Sequence, residues 1–255
     1  MTTATPTFTH GRFVWHDLAT PSMAGAQDFY GKLLGWTFKS VETGSGQPAY
    51  ALIQLGDRPI GGITETPAGS HFPPYWLGYV SVSDVDATAH AAQSAGGRVA
   101  MGPAEIPHVG RFALLEDPQG GAVIAFKAVQ GDVESPERPG LGEFCWDRLN
   151  STTPDASAAF YTQVFGWTAE AVPGSTKRMF RHGDLPTASL ATMPFEGPAH
   201  WLTYLNVADL NESRARAEWL GAEVLVEQLD VPGVGTLAIV RDPQRAVFCL
   251  FQAAD

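Results

Sequence analysis

Two stretches of the chain repeat apolar residues at spacings of three and four, which is typical of an amphipathic helix. The first stretch carries its apolar face on Ala26, Phe29, Tyr30, Leu33 and Leu34. The second carries the equivalent face on Phe160, Tyr161, Val164 and Phe165. Each stretch therefore predicts a helix of about three turns that buries one side against the rest of the protein.

The residues that flank these two helices predict where each begins and ends. Gly35 and Gly166 follow the last apolar positions, as expected for a left-handed residue just beyond a helix C-terminus. Thr20 and Thr153 are each followed by proline, a pair that predicts an N-cap and a proline at the first helical position. Both helices should therefore have defined termini.

Strands and a second type of helix surround each of these stretches. Segments 12–18 and 76–83 are rich in aromatic and branched residues and predict strands. Asp84 and Asp209 predict N-caps of further helices, which should end near glycine. Asp117 opens an Asp-Pro-Gln-Gly sequence that favours a type I turn. The order of elements predicts four units, each of the form βαβββ.

An internal repeat shows how these units are grouped. The sequence FYGKLLGW at 29–36 recurs as FYTQVFGW at 160–167, an offset of 131 residues. WLGY at 76–79 recurs as WLTY at 201–204, and DPQ at 117–119 recurs at 242–244, both at an offset of 125. We predict two domains at 8–130 and 141–255, joined by a polar, proline- and glycine-containing linker at 131–140. The modules lie at about 11–70, 71–127, 142–197 and 198–252.

Composition and charge limit the range of functions. The chain has 255 residues, of which 44% are hydrophobic and 17% charged, and its net charge is −11. An acidic surface repels phosphate backbones and anionic lipid, so neither nucleic acid nor a membrane is expected as a partner. No stretch reaches the roughly 18 consecutive apolar residues of a membrane span. A start without a basic, apolar leader and only two cysteines fit a cytoplasmic protein without disulfides.

The ordered motifs resemble those of the vicinal oxygen chelate superfamily, which includes glyoxalases, bleomycin resistance proteins and dioxygenases. The resemblance covers about 11–127 and 142–252. Within the superfamily, the chain is similar to two-domain bacterial members described as hydroxylase-like or glyoxalase-like. It implies an α+β fold of tandem domains, each with two βαβββ modules that form a curved mixed sheet, or cup. It also implies a ligand or a divalent metal inside the cup.

The same resemblance implies where metal ligands would stand, and the residues there are poor donors. Those positions are Trp15, Leu77 and Ile124 in the first domain and Trp146, Leu202 and Cys249 in the second. Indole and aliphatic groups do not coordinate divalent cations. The remaining ligand position falls near 60–64 or 187–192, where there is neither His nor Glu. We therefore expect no metal, with a divalent metal at other positions as the alternative.

Histidines offer little support for that alternative. His16 lies one residue from the first ligand position, but alternation places it on the opposite face of the strand from Trp15. His71 and His108 lie in loops that overhang the cup in this fold, and we interpret them first as solvated residues.

Strand alternation predicts the side chains that face into each cup. These ligand-binding candidates are Phe13, Trp15, Asp17, Leu77, Tyr79 and Ile124 in the first domain, and Phe144, Trp146, Arg148, Leu202, Tyr204 and Cys249 in the second. Apolar and aromatic walls with a few polar groups are typical of small-molecule pockets and suit a flat ligand. Arg148 could pair with a carboxylate or phenolate of that ligand, and Asp17 could accept a hydrogen bond or act as a base.

Three functions remain open at this point. The first is a metal-free binding protein or cofactor-free enzyme for a small hydrophobic or aromatic molecule, with no catalytic residue assigned. The second is a metal-dependent lyase, isomerase or dioxygenase of the glyoxalase type. The third is a non-catalytic protein whose cups are filled by side chains and whose surface serves association. A homodimer is compatible with all three.

Overall fold

The computed structural model of the protein describes residues 6–43, 48–67, 69, 73–133, 139–193 and 196–254. Part of the predicted linker, 134–138, lies outside these residues, and so does His71.

Four modules of one strand, one helix and three strands follow one another along the chain. The first contains β1 (Phe13–Thr20), α1 (Met23–Leu34), β2 (Thr37–Val41), β3 (Tyr50–Leu55) and β4 (Arg58–Glu65). The second contains β5 (Tyr75–Ser81), α2 (Val85–Ser94), β6 (Arg98–Ile106), β7 (Gly110–Glu116) and β8 (Ala122–Ala128). The third contains β9 (Phe144–Ser151), α3 (Pro154–Phe165), β10 (Thr168–Ala171), β11 (Arg178–His182) and β12 (Leu185–Thr192). The fourth contains β13 (His200–Asn206), α4 (Leu210–Trp219), β14 (Glu223–Val231), β15 (Gly235–Arg241) and β16 (Val247–Ala253).

The strands form two mixed sheets of eight, one for each half of the sequence repeat. Their orders are β2-β3-β4-β1-β5-β8-β7-β6 and β10-β11-β12-β9-β13-β16-β15-β14. Within each module the first strand pairs in parallel with the last, and the hairpin strands pair antiparallel. The helix supplies the crossover that a parallel pair requires. The α+β prediction of four βαβββ modules is therefore confirmed.

Most of the helix termini follow the local sequence. Gly35 and Gly166 adopt left-handed conformations with φ of 72° and 69°, and their N–H groups bond to the last turn. Asp84 and Asp209 accept backbone N–H bonds at 3.0 and 2.8 Å, as N-caps should. These predictions are confirmed. The helices run for only 10 to 12 residues, and none among the described residues is long and apolar enough to cross a membrane.

The predicted cap at Thr20 is wrong. Thr20 is the last residue of β1, where it pairs with Glu65 and is fully buried, so it is not the N-cap of α1. Ser22 caps α1 instead, and its hydroxyl accepts the Gly25 N–H at 3.1 Å. Thr153 stands at the predicted N-cap position of α3 with proline after it, but its side chain makes no capping bond.

Two compact units emerge from the packing, and each draws modules from both halves of the repeat. Unit 1 consists of Met1–Trp15, Gly78–Glu134 and Asp147–Trp201, and contains α2 and α3. Unit 2 consists of His16–Leu77, Ser135–Trp146 and Leu202–Asp255, and contains α1 and α4. The family-like boundaries at 8–130 and 141–255 stay a prediction.

In unit 2, residues of the repeated sequence motifs form hydrogen bonds with one another inside the core. Tyr30 is fully buried on α1, donates its hydroxyl to Asp242 Oδ2 at 3.0 Å and accepts the Trp76 indole N–H at 3.1 Å. The Trp36 indole N–H donates to the Gly142 carbonyl at 2.8 Å. Buried polar groups need such partners, so these motif residues satisfy one another within the core.

Unit 1 contains the equivalent arrangement. Tyr161 accepts the Trp201 indole N–H at 2.9 Å and lies near the Asp117 carboxylate, whose Oδ2 accepts no hydrogen bond from the described residues, while the Trp167 N–H donates to Gly11 O at 2.8 Å. Burial, followed by the charge of the partner aspartate, raises the pKa of Tyr161 well above its ordinary value, as it does for Tyr30. The recurring Tyr, Trp and Asp of the sequence repeat are thus explained by their contacts in the fold.

Candidate functional site

The four strands of each module form half of a sheet. One face of these strands is covered by the helix of the module, and we call the opposite face the helix-free face. In unit 2, Leu205, Phe248 and Leu250 lie in the core that includes α4 residues Leu210 and Ala217. The alternate positions on β13 and β16 therefore belong to the helix-free face.

The helix-free face of the fourth module holds a separate apolar cluster. Leu202, Tyr204, Leu237 and Cys249 form its buried part, and Trp146 packs against it half-buried. Tyr204 and Cys249 are register partners on β13 and β16, which places their side chains next to each other. Four predicted site residues, Trp146, Leu202, Tyr204 and Cys249, are thus gathered in unit 2 on the expected face.

Unit 1 presents a comparable surface on its second module. Val80, Val123 and Ala125 lie in the helix-covered core, so Tyr79 and Ile124, which are register partners, belong to the helix-free face. The Tyr79 ring makes an edge contact with Phe126, with centroids 5.5 Å apart. Trp15, also in unit 1, is half-buried, and Leu77 in unit 2 is buried.

Two predicted site residues lie elsewhere. Phe13 packs in unit 1 against Trp167 and Trp201, and Phe144 packs in unit 2 against Trp36 and Trp76. Both rings stand at the first position of their strands and complete the aromatic cores that the Tyr and Trp motifs build. Alternation alone does not predict this placement, so we leave both residues out of the proposed site.

The first module carries a polar row on its helix-free face. Asp17 on β1 pairs across the sheet with Gly62 on β4, and the Tyr50 hydroxyl donates to Asp17 Oδ1 at 2.9 Å. A Cβ at position 62 would collide with both the Tyr50 hydroxyl and the Asp17 carboxylate. Glycine therefore leaves the space in which this buried carboxylate and phenol meet.

The third module carries a row of opposite charge. Arg148 on β9 pairs across the sheet with Ser189 on β12, which in turn pairs with Met179 on β11. Lys177 lies two residues before Met179, immediately before the start of β11. Burial, and then the nearby Arg148 charge, lower the pKa of Lys177 from its ordinary value. The buried Arg148 guanidinium is therefore near enough to the Lys177 ammonium to disfavour its charged form.

Tyr50 and Lys177 were missed by the sequence analysis although they occupy equivalent places in the two repeats. Both lie two residues before the β3 or β11 position that pairs with Gly62 or Ser189. The offset between them is 127 residues, within the range from 131 to 125 over which the repeat shortens. That intermediate offset was the signal that could have found them.

The residues present do not fit the metal that the resemblance implies. Across the described ranges, no group of three or more His, Cys, Asp or Glu side chains is placed to hold an ion. His16 stacks on Phe144 in unit 2, with centroids 4.3 Å apart and an interplanar angle of 17°. His108 stands at the turn between β6 and β7 with φ of 65°. Neither histidine is part of a ligand set.

Two family models match the chain, one for each repeat. The model described as "Glyoxalase/Bleomycin resistance protein/Dioxygenase superfamily" matches residues 12–126, and the one described as "Glyoxalase-like domain" matches residues 143–251. Together these matches extend over most of the sequence.

Similar curated proteins match almost end to end. "Putative glyoxylase CFP32" of Mycobacterium tuberculosis is 32% identical over 246 residues, which are 94% of this chain and 94% of that protein. "Anthracycline biosynthesis protein DnrV" of Streptomyces peucetius is 28% identical over 263 residues, covering 96% and 94%. The similarity therefore extends over nearly the whole length of both chains.

Solved structures share the fold at low sequence identity. The Mn(II)-bound glyoxalase from Novosphingobium aromaticivorans has a TM-score of 0.63 at 15% identity, covering 94% of this chain and 81% of that one. The 2,3-dioxygenase LapB from Pseudomonas sp. KL28 has a TM-score of 0.66 at 12% identity, covering 97% and 94%. The two family models and the 32% identical relative show that the chain belongs to the glyoxalase/bleomycin resistance protein/dioxygenase superfamily, as a tandem pair of its domains.

Proposed function

We propose that the protein binds a small hydrophobic or aromatic molecule on the helix-free faces of its sheets, without a resident metal. The observation that carries this proposal is the apolar cluster of Leu202, Tyr204 and Cys249 with the half-buried Trp146 against it. Aromatic and aliphatic walls of this kind are the usual lining of a small-molecule site, and an indole offers a flat stacking surface. Binding protein and cofactor-free enzyme both remain within this proposal.

The names of two relatives agree with an aromatic ligand. The DnrV protein of Streptomyces peucetius and the DauV protein of Streptomyces sp. strain C5 are both described as anthracycline biosynthesis proteins, at 28% and 27% identity. Anthracyclines are flat, fused-ring aromatic molecules. A related ring system is therefore the class of ligand to test first.

A thermal-shift screen with fused-ring aromatics tests the proposal. A ligand at one hundred times its Kd stabilises the folded state by about 2.7 kcal/mol, which for a chain of this size raises Tm by roughly 5–10 °C. Trp146→Phe should weaken the shift because it replaces the indole by a smaller ring. Trp219→Phe is the matched control, since Trp219 is 82% exposed on α4. Absence of any shift across a broad panel would contradict the proposal and favour filled, non-catalytic cups.

A metal-dependent enzyme of the glyoxalase type is the second candidate, and the name of the 32% identical relative favours it. Metal analysis of protein purified without chelators separates the two candidates. The metal-free proposal expects only traces, because the described residues lack a set of donors. More than about half an equivalent of a transition metal per chain, lost together with activity on chelation, would establish the second candidate instead.

A further inference from the structure

The turn at 117–121 connects the two sequence repeats within unit 1. It lies between β7 and β8, in the first repeat. Gln119 accepts the Ala199 N–H at its carbonyl oxygen, at 2.8 Å, and the Ser157 hydroxyl at its side-chain oxygen, at 3.3 Å. Ala199 and Ser157 belong to the second repeat, and all three residues lie in unit 1. A change in the turn therefore affects the contact between the repeats.

The first residue of this turn is a buried aspartate with one unsatisfied oxygen. Asp117 is only 4% exposed. Its Oδ1 accepts the N–H groups of Gln119 and Gly121 at 2.8 and 2.9 Å, whereas its Oδ2 accepts no hydrogen bond from the described residues. Burial of a carboxylate is costly unless its oxygens accept hydrogen bonds or face a positive charge. Half of this carboxyl group therefore lacks the partner that a negative charge requires.

The equivalent aspartate of unit 2, 125 residues further along the chain, has that partner. Asp242 is 3% exposed, and its Oδ2 accepts the Tyr30 hydroxyl at 3.0 Å. Its Oδ1 accepts the Ala246 N–H at 2.9 Å. The two units thus differ in how well they accommodate an ionised aspartate at the same place in the fold.

A glycine accounts for this difference. Gly121 stands where unit 2 has Ala246. A Cβ at position 121 would lie 2.6 Å from Asp117 Oδ2 and 3.0 Å from the Tyr161 hydroxyl oxygen, and the first distance is too short for a real contact. The Ala246 methyl group therefore keeps the Asp242 carboxyl out of the corresponding position. In unit 1, Asp117 Oδ2 and the Tyr161 oxygen both border the space that the Cβ would fill.

The groups around Asp117 do not balance its charge. Within the described ranges, the side chain that acts on the Asp117 carboxyl is that of Tyr161 on α3, and the other groups are N–H groups of the turn. The preceding carboxylate, Glu116, is paired with Arg98 at 2.6 Å. Burial raises the pKa of Asp117 above its ordinary value, and the bonds from the turn act in the opposite direction.

A protonated Asp117 would find an acceptor beside it. A phenol oxygen can accept two hydrogen bonds, and that of Tyr161 accepts the Trp201 N–H at 2.9 Å. The Oδ2–H of the neutral acid can donate to the same oxygen. Protonation thus removes a buried charge and supplies a donor where the ionised form has an unsatisfied acceptor.

We propose that Asp117 is a proton-binding site, and that protonation of its carboxylate strengthens the contact between the two repeats in unit 1. A folded-state pKa above the ordinary carboxyl value of about 4 contributes stability that is fully present below that value. This stability is lost as the pH rises through the raised pKa. The turn should therefore open more readily at pH 7 than at pH 4.

Amide hydrogen exchange of the full chain between pH 4 and pH 7 tests this proposal. The reporters are the Gly121 N–H, which donates to Asp117, and the Ala199 N–H, which donates to Gln119. Their protection factors should fall by about tenfold over this range, which is the scale of a buried polar group left without a partner. The Ala246 N–H of unit 2 is the internal control and should change less.

Two matched variants separate Asp117 from the other groups that titrate in this range. Asp117→Asn keeps an oxygen for the N–H groups of the turn and replaces Oδ2 by an uncharged donor. It should keep the protection of Gly121 and Ala199 high at both pH values. Asp242→Asn replaces the acceptor of the Tyr30 hydroxyl, so it should lower the protection of the unit 2 turn at pH 7.

The opposite result at pH 7 would overturn the proposal. Lower protection of Gly121 and Ala199 in Asp117→Asn than in the wild type would show that the charged carboxylate stabilises the turn. A pH dependence that is unchanged in this variant would exclude Asp117 as its source. A ¹³C NMR titration of the wild-type Asp117 carboxyl is independent of any variant. It should show ionisation above the ordinary range, and a midpoint at or below about 4 would contradict the proposal.

Discussion

Removal of the Tyr30 hydroxyl tests whether the motif residues stabilise the fold, as their hydrogen bonds indicate. Tyr30 is fully buried, donates to Asp242 at 3.0 Å and accepts from Trp76 at 3.1 Å. Tyr30→Phe keeps the ring and its packing but leaves an indole N–H and a carboxylate oxygen without this partner. Each buried group deprived of a partner costs about 1–3 kcal/mol, so the expected loss of stability is roughly 2–5 kcal/mol.

The loss should depend on pH with a defined sign. Burial raises the pKa of Asp242 above its ordinary value, and the bond from Tyr30 acts in the opposite direction. Without that bond the pKa of Asp242 rises further, which penalises the charged form. A raised folded-state pKa contributes stability at low pH that is lost as the pH rises through that pKa. The variant should therefore lose less stability near pH 4 than at pH 7.

Urea unfolding followed by tryptophan fluorescence measures both effects. Tyr161→Phe, the corresponding change in unit 1, should cost less, because the Tyr161 hydroxyl accepts the Trp201 N–H at 2.9 Å whereas Asp117 Oδ2 accepts no hydrogen bond from the described residues. A double-mutant cycle with Asp242→Asn isolates the coupling, for which about 1–2 kcal/mol is expected. A loss of stability below about 0.5 kcal/mol for Tyr30→Phe would refute the reasoning, because removal of a hydroxyl that has two buried hydrogen-bond partners should be clearly destabilising.

Three further predictions concern single positions. Gly62→Ala should lower the free energy of unfolding in urea by roughly 1–3 kcal/mol, because the added methyl group displaces the hydrogen-bonded Tyr50 and Asp17 side chains beside it. Gly140→Ala, where the added methyl group would make only ordinary contacts, should leave the free energy of unfolding nearly unchanged. In an ultraviolet titration, Tyr30 and Tyr161 should stay protonated above the ordinary tyrosine pKa of about 10. Their ionisation at higher pH should coincide with alkaline unfolding. A reversible ionisation of all six tyrosines near pH 10 would contradict this prediction. Cys249 is fully buried, so a thiol reagent should modify it only after unfolding.

Local features of the fold could be predicted because they depend on neighbours in the sequence. Gly35 and Gly166 end their helices in left-handed conformations that glycine adopts without a Cβ penalty, and Asp84 and Asp209 cap helices through bonds to residues three positions on. The local prediction failed where a residue belongs to a neighbouring element. Thr20 is the last residue of β1 and pairs with Glu65, and Ser22 is the N-cap of α1 instead.

The candidate site could be predicted in part. Alternation along β13 and β16 placed Leu202, Tyr204 and Cys249 on one face, because a period of two depends on the strand alone. It did not predict that Phe13 and Phe144 complete aromatic cores, since the rings they meet come from distant parts of the chain.

By itself, the sequence determined the repeat, the four modules and the faces of most strands, since these follow from spacing and from residues a few positions apart. Only the tertiary structure decided which modules pack together, and it joined Tyr30 to Asp242 across 212 residues of sequence. It also placed Tyr50 beside Asp17, which are 33 residues apart in the sequence. The physical reason is that side-chain partners across a core are chosen by packing and by the need to satisfy buried polar groups, and neither has a period along the chain.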